Sequence, residues 1–150
     1  MGSYRLTWRP LRGGHLAIGH KPGRDLREAL ARSGCTRGLS LLSDRESDAE
    51  ETASRIRLRL ESADPPGAAR TPEVLACFAR IVEWLDAGEK IYIHCSAGLH
   101  RTGMITYAFL RYLGDSREEA LARITELREA TAQAATEARL RWGEQFARER

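Results

Sequence analysis

Apolar residues recur along this chain with two periods, one suited to strands and one to helices. Four short runs read as strands: Leu16-Ala17-Ile18, Leu39-Ser40-Leu41-Leu42, Ile56-Arg57-Leu58-Arg59-Leu60 and Lys90-Ile91-Tyr92-Ile93. The third alternates strictly, which predicts one solvated face. Between them lie helical patterns. Asp25 can cap a helix that turns Leu26, Ala29 and Leu30 inward and ends at Ser33-Gly34. A charged stretch from Asp44 to Glu51 leads through a short helix to the strand that begins at Ile56. Thr71-Pro72 starts a helix with Val74, Phe78, Ile81 and Leu85 on one face, stopped by Gly88. Met104 to Leu113 is a further helix, stopped by Gly114. Ser116 and Glu119 then form a capping-box pattern ahead of Leu121, Ile124 and Leu127, and a last amphipathic segment carries Ala135, Ala138, Trp142 and Phe146. Strands alternating with helices predict an α/β fold: a central, mostly parallel sheet of four to five strands flanked by helices on both faces.

Composition changes this picture little. At 150 residues the chain is expected to form one domain, residues 1–150, with a real core and no linker or internal repeat. No apolar run approaches a transmembrane length, and no charged-then-apolar signal sequence opens the chain. Met1-Gly2 lacks a myristoylation context, since Leu6 stands where Ser or Thr is wanted. Three widely spaced cysteines argue for a reducing compartment, hence a cytoplasmic address. The net charge is +3, carried almost wholly by arginine beside Lys21 and Lys90. Arginine suits phosphorylated partners, but a compositional habit accounts for it at least as well. No basic-aromatic repeat or zinc-finger spacing makes nucleic acid the leading partner.

The chemistry concentrates in His94-Cys95-Ser96-Ala97-Gly98-Leu99-His100-Arg101-Thr102-Gly103. This segment joins the fourth strand to the following helix. Such a loop points backbone N–H groups into one concavity and so makes an anion site, and ligands of open α/β sheets bind beyond the strand C-termini. Cys95 at its start supplies a nucleophile and Arg101 a bidentate clamp for phosphate oxygens. Ser96, Ala97, Gly98, Leu99 and His100 are the remaining candidate substrate-binding positions. In-line attack by the thiolate would give a cysteinyl-phosphate, with neither metal nor cofactor required. Thr102 can donate to the departing sulfur or cap the helix beginning there. A proton donor for the leaving oxygen is also needed. Asp64, in the Pro/Gly loop after the third strand, is the candidate; as a residue before Pro-Pro it is equally a turn-former. Asp44 and Asp48, on the preceding loop, compete with it.

The segment from His94 to Gly103 resembles the phosphate-binding loop of the cysteine-based protein tyrosine phosphatases, whose pattern is His-Cys-x-x-Gly-x-x-Arg-Ser/Thr-Gly. Every fixed position is filled. Chain length and the loop's late position resemble the small dual-specificity phosphatases, and the segments 16–23 and 35–42 resemble compact microbial and kinase-associated members. The resemblance implies phosphomonoester hydrolysis by Cys95 and Arg101, with Thr102 aiding thiolate departure. It also implies Asp64 as general acid and then base, since the family's acid lies about thirty residues before the nucleophile.

Two departures bear on substrate. His100 stands where glycine is frequent, placing an imidazole at the pocket wall or on the surface. The loop has no lysine, unlike members acting on polyphosphorylated inositides, and no long phosphotyrosine-recognition segment is present. The implied partner is a phosphorylated protein or a small phosphomonoester, with no membrane. RNA 5′-phosphates, sugar phosphates and inositides are alternatives within the family, and a noncatalytic phosphate-binding module is the alternative outside it. A rhodanese-like sulfur transferase fits the Arg101-Thr102-Gly103 ending less well. Cys35 and Cys77 read as core thiols, His15 and His20 as loop residues, and His94 as a loop-orienting residue. Trp8, Trp84 and Trp142 read as packing residues.

Overall fold

A computed structural model of the chain describes residues 6–47 and 49–148. Five strands form one sheet: β1 (Arg9–Leu11), β2 (Gly14–His20), β3 (Arg37–Ser40), β4 (Arg55–Arg57) and β5 (Lys90–Cys95), in the order β1-β2-β5-β3-β4. β2, β5, β3 and β4 are parallel, and β1 adds an antiparallel edge. The expected mostly parallel sheet is therefore what the chain forms. The pattern of apolar residues missed β1, because three residues containing Pro10 carry no periodicity; a strand proline is tolerated only on such an edge.

Among the described residues, six α-helices lie between and after the strands: α1 (Arg24–Arg32), α2 (Thr71–Asp86), α3 (His100–Leu113), α4 (Arg117–Leu127), α5 (Glu129–Gln133) and α6 (Glu137–Gly143). α1 covers one sheet face, packing Leu26 and Leu30 on Ala17 and Tyr92. The larger core lies on the other face, where Leu16, Ile18, Ile91 and Ile93 meet Val74, Phe78 and Ile81 of α2 and Phe109 of α3. Alternation along β5 decides which residues face which layer: Ile91, Ile93 and Cys95 join the α2/α3 side and Tyr92 the α1 side. Phe78 is wholly buried and its ring lies 5.3–5.4 Å from those of Phe109, Tyr112 and Phe146.

Several local expectations change. Gly23, not Asp25, occupies the cap position of α1, and Asp25 sits in the first turn, where its charge favours the helix dipole. The Ser116/Glu119 capping box forms in full. The last segment buries Leu140 and Phe146, while Ala135 and Ala138 stay exposed.

The largest correction concerns residues 44–60. Asp44–Glu46 is a turn, and the described residues up to Glu51 form no helix; Asp48 lies outside the described residues. The following strand is Arg55–Arg57, and the expected solvated face survives only at Arg59, whose side chain is 42 % exposed, because Arg57 is buried. Its guanidinium takes the carbonyls of Leu42, Ser43, Ser47 and Ala49. A buried cation that collects carbonyls needs those peptides turned inward, which a helix over the same residues would forbid.

Candidate active site

The site grows from the register of three parallel strands. His20 pairs with Cys95 and Ser40 with His94, so β2, β3 and β5 end together, and the chain leaves β5 directly into α3. α3 begins at His100, earlier than the expected Met104, so Arg101 and Thr102 fall in its first turn. Leu99 holds the cap position, and Thr102 is no cap.

Between strand and helix, Gly98 adopts φ 72° and packs against β2. A Cβ there would collide with the backbone of Gly19 and His20, so glycine is required by both conformation and space.

The loop's carbonyls are engaged behind it. Ser96 O accepts from the Lys21 N–H at 3.1 Å. Gly98 O accepts from Thr131 Oγ1 at 2.6 Å and Arg128 Nη1 at 2.8 Å, and Ala97 O accepts from Arg128 at 3.4 Å. Among the described residues, no protein acceptor takes the N–H groups of Ser96, Ala97, Gly98 or Leu99. Carbonyls tied down and donors left over make a cradle for an anion.

A cavity of about 350 Å³ opens on this cradle, lined by Cys95, Ser96, Ala97, His100 and Arg101 from the loop, with Glu46 and Ala63 among the facing residues. Gly98 and Leu99, expected to contact substrate, do not line it; Gly98 is buried and Leu99 half-buried. Cys95 is 3 % exposed, at the floor. Arg101 is held rather than free: it makes hydrogen bonds of 2.6 and 2.8 Å to the Glu46 carboxylate and one of 2.9 Å to Leu60 O. The guanidinium holds the Glu46 carboxyl at about 2, well below the usual carboxylate range, and Glu46 in turn raises Arg101. Glu46 also accepts from Ser43 N and Oγ, and Lys21 Nζ donates to its carbonyl.

Thr102 is fully buried, and among the described residues its hydroxyl has no hydrogen-bond partner. Among the described residues the buried His94 Nδ1 has no hydrogen-bond partner, and burial pulls the pKa of His94 down to about 4, so the ring is neutral beside the loop. Asp64 is exposed and lies one residue beyond the cavity lining, its N–H donating to Ser62 Oγ. Its competitor Asp44 pairs with Arg59 at 2.7 Å and Arg57 at 3.6 Å. Glu61 lines the cavity as a further carboxylate.

Glu46, Lys21, Arg128 and Thr131 escaped the sequence reading. Each acts through tertiary contact at sequence distances of 25 to 55 residues, and no local pattern marks them. Cys35 and Cys77 lie outside the cavity, and burial pushes the Cys77 thiol up to about 12, as befits a core thiol. Cys35 is raised by burial as well. Among the described residues no helix is long and apolar enough to cross a membrane.

A cysteine closes a buried parallel strand, and an arginine in the first turn of the next helix lines the same cavity. The chain belongs to the tyrosine phosphatase family, whose model matches residues 35–147. Among curated proteins no sequence matches significantly. Solved structures of similar fold include Tk-PTP in its active form, 21 % identical over 93 % of this chain and 95 % of that one, with TM-score 0.73. Kinase associated phosphatase with its catalytic cysteine replaced by serine is 16 % identical over 95 % and 93 %, with TM-score 0.75. PTPMT1 in complex with PI(5)P is 17 % identical over 87 % and 89 %, with TM-score 0.68. These likenesses are of fold, and the fold is dual-specificity-phosphatase-like.

Proposed function

We propose that the chain is one phosphatase domain that hydrolyses phosphomonoesters through a cysteinyl-phosphate, with phosphotyrosine-type or dual-specificity protein substrates. The observation that carries this reading is the loop's division of labour: its carbonyls are bonded, the N–H groups of Ser96 to Leu99 are unclaimed among the described residues, and Cys95 and Arg101 line one cavity. Cys95 Sγ attacks phosphorus in line as the ester bond breaks. Arg101 and the loop N–H groups hold the three non-bridging oxygens, preorganised because Glu46 and Leu60 O already fix the guanidinium. The leaving oxygen takes a proton from Asp64. In the second step Asp64, now a carboxylate, deprotonates water, which attacks phosphorus and releases Cys95 Sγ. The Thr102 hydroxyl, without a partner in the resting protein, turns to the departing thiolate. Asp64 is preferred over Asp44 because Asp44 is spent on two arginines. Glu61, which lines the cavity, is the remaining rival, and Glu61→Gln beside Asp64→Ala on phenyl phosphate tells the two apart.

The test is metal-independent, vanadate-sensitive hydrolysis of an aryl phosphate at pH 5–7. Cys95→Ser should abolish turnover and retain oxyanion binding, and inactivity of the folded, reduced protein would refute the reading. An inositide substrate draws support from fold likeness alone and is disfavoured by the absence of lysine between Cys95 and Arg101. A screen across phosphopeptides, nucleotides, sugar phosphates and inositides separates these classes.

A further inference from the structure

The loop that carries Asp64 is poorly anchored by its own backbone. Pro65 and Pro66 have no N–H to donate, and the Asp64 N–H is used within the turn by Ser62. Among the described residues, one hydrogen bond reaches segment 61–66 from elsewhere in the chain: Arg139 Nε, from α6, donates to Ala63 O at 2.8 Å. The same guanidinium places Nη1 3.3 Å from His100 Nδ1 and 3.2 Å from Thr136 Oγ1. A guanidinium only donates, so the imidazole accepts at Nδ1. Ala63 and His100 both line the Cys95 cavity.

We infer that Arg139 is a positioning residue: it latches the Asp64 loop to the first residue of α3, holding the proton donor over the phosphate cradle. The inference rests on the reading of Asp64 as general acid. The residue directly before Asp64 is the one fixed, so the latch sets where that loop sits relative to the phosphate loop while touching no reacting atom. A charged donor suits this work because its bond to a carbonyl is stronger than a neutral one. It also explains why an imidazole, not glycine, starts α3: His100 supplies the acceptor at the other end. Arg139 is therefore needed for the proton transfer and dispensable for attack by Cys95.

The test compares kcat for phenyl phosphate, a poor leaving group, with p-nitrophenyl phosphate, a good one. The proteins are the full chain, Arg139→Ala, Arg139→Lys, Asp64→Ala and the Asp64→Ala/Arg139→Ala double variant. Arg139→Ala should lose about tenfold on phenyl phosphate and less than about threefold on p-nitrophenyl phosphate, with KM nearly unchanged, a fraction of what a general acid contributes. Arg139→Lys should recover part of the loss by restoring one donor. In the Asp64→Ala background, Arg139→Ala should add nothing. Equal losses on both substrates, or an undiminished loss in the Asp64→Ala background, would overturn the latch and leave Asp64 as the acid. If Asp64→Ala itself slows neither substrate, the loop carries no acid and the latch falls with that assignment. Equal thermal melts for the wild type and Arg139→Lys show that the comparison is made on folded protein.

Discussion

Replacing Glu46 by Gln tests whether Arg101 is preorganised by a charge or merely surrounded by polar atoms. The Glu46–Arg101 pair has two short hydrogen bonds, and the Arg101 side chain is only 12 % exposed. Gln keeps the shape and one acceptor but removes the negative charge, leaving Arg101 with Leu60 O as its best remaining partner. A hydrogen bond to a charged group is worth about 1.5–3 kcal/mol. Glu46 is 30 % exposed, so screening by water brings the expected loss down to about 1–2 kcal/mol. For a chain of this size that is a fall in Tm of roughly 3–6 °C at neutral pH.

The pH dependence gives the sharper signature. The folded protein holds the Glu46 carboxyl at about 2 against an ordinary 4.5, so the unfolded chain binds more protons in that window. The pair's stabilisation is complete above the ordinary value, shrinks as pH falls below it, and is lost through about 2. Urea midpoints of wild type and Glu46→Gln should differ at pH 7 and converge as pH is lowered towards 3. A gap that stays constant over that range would refute an electrostatic hold on Arg101. The same variant should raise KM for aryl phosphates, since a free guanidinium must be ordered on binding.

Thr131→Val removes the 2.6 Å bond to Gly98 O at a fully buried position, while Arg128 still donates to that carbonyl; a loss of about 0.5–1.5 kcal/mol should appear in thermal melts together with weaker vanadate binding. Phe78→Ala empties the aromatic cluster on α2 and should cost about 3–5 kcal/mol in urea unfolding, with activity per folded molecule retained. Thr102→Val should leave stability unchanged or slightly raised, because it deletes a buried hydroxyl without a partner. It should slow the second step, seen as a larger phosphoenzyme burst in rapid mixing.

Where period and punctuation carried the information, the sequence was legible. The face of Val74, Phe78, Ile81 and Leu85, the stop at Gly114 and the capping box at Ser116 all stand, because each depends on neighbours within a few residues. The place of the Cys95 segment between a strand and a helix was legible for the same reason. Residues 44–60 were not. There Arg57, solvent-facing by alternation, is buried among carbonyls, and Glu46, one of many charges in a polar stretch, is the partner of Arg101. Long-range pairing decides both, and no periodicity encodes it. At Thr102 only the capping alternative fails: the helix starts two residues before it, so the hydroxyl is interior.

The central claim is that Cys95 takes the phosphoryl group. Acid quench of the Asp64→Ala variant during turnover of radiolabelled p-nitrophenyl phosphate, followed by peptide mapping, tests it most directly. The account predicts label on the peptide containing Cys95, and none in a Cys95→Ser control. Label on another residue, or hydrolysis proceeding with no phosphoenzyme and undiminished by Cys95→Ser, would contradict it.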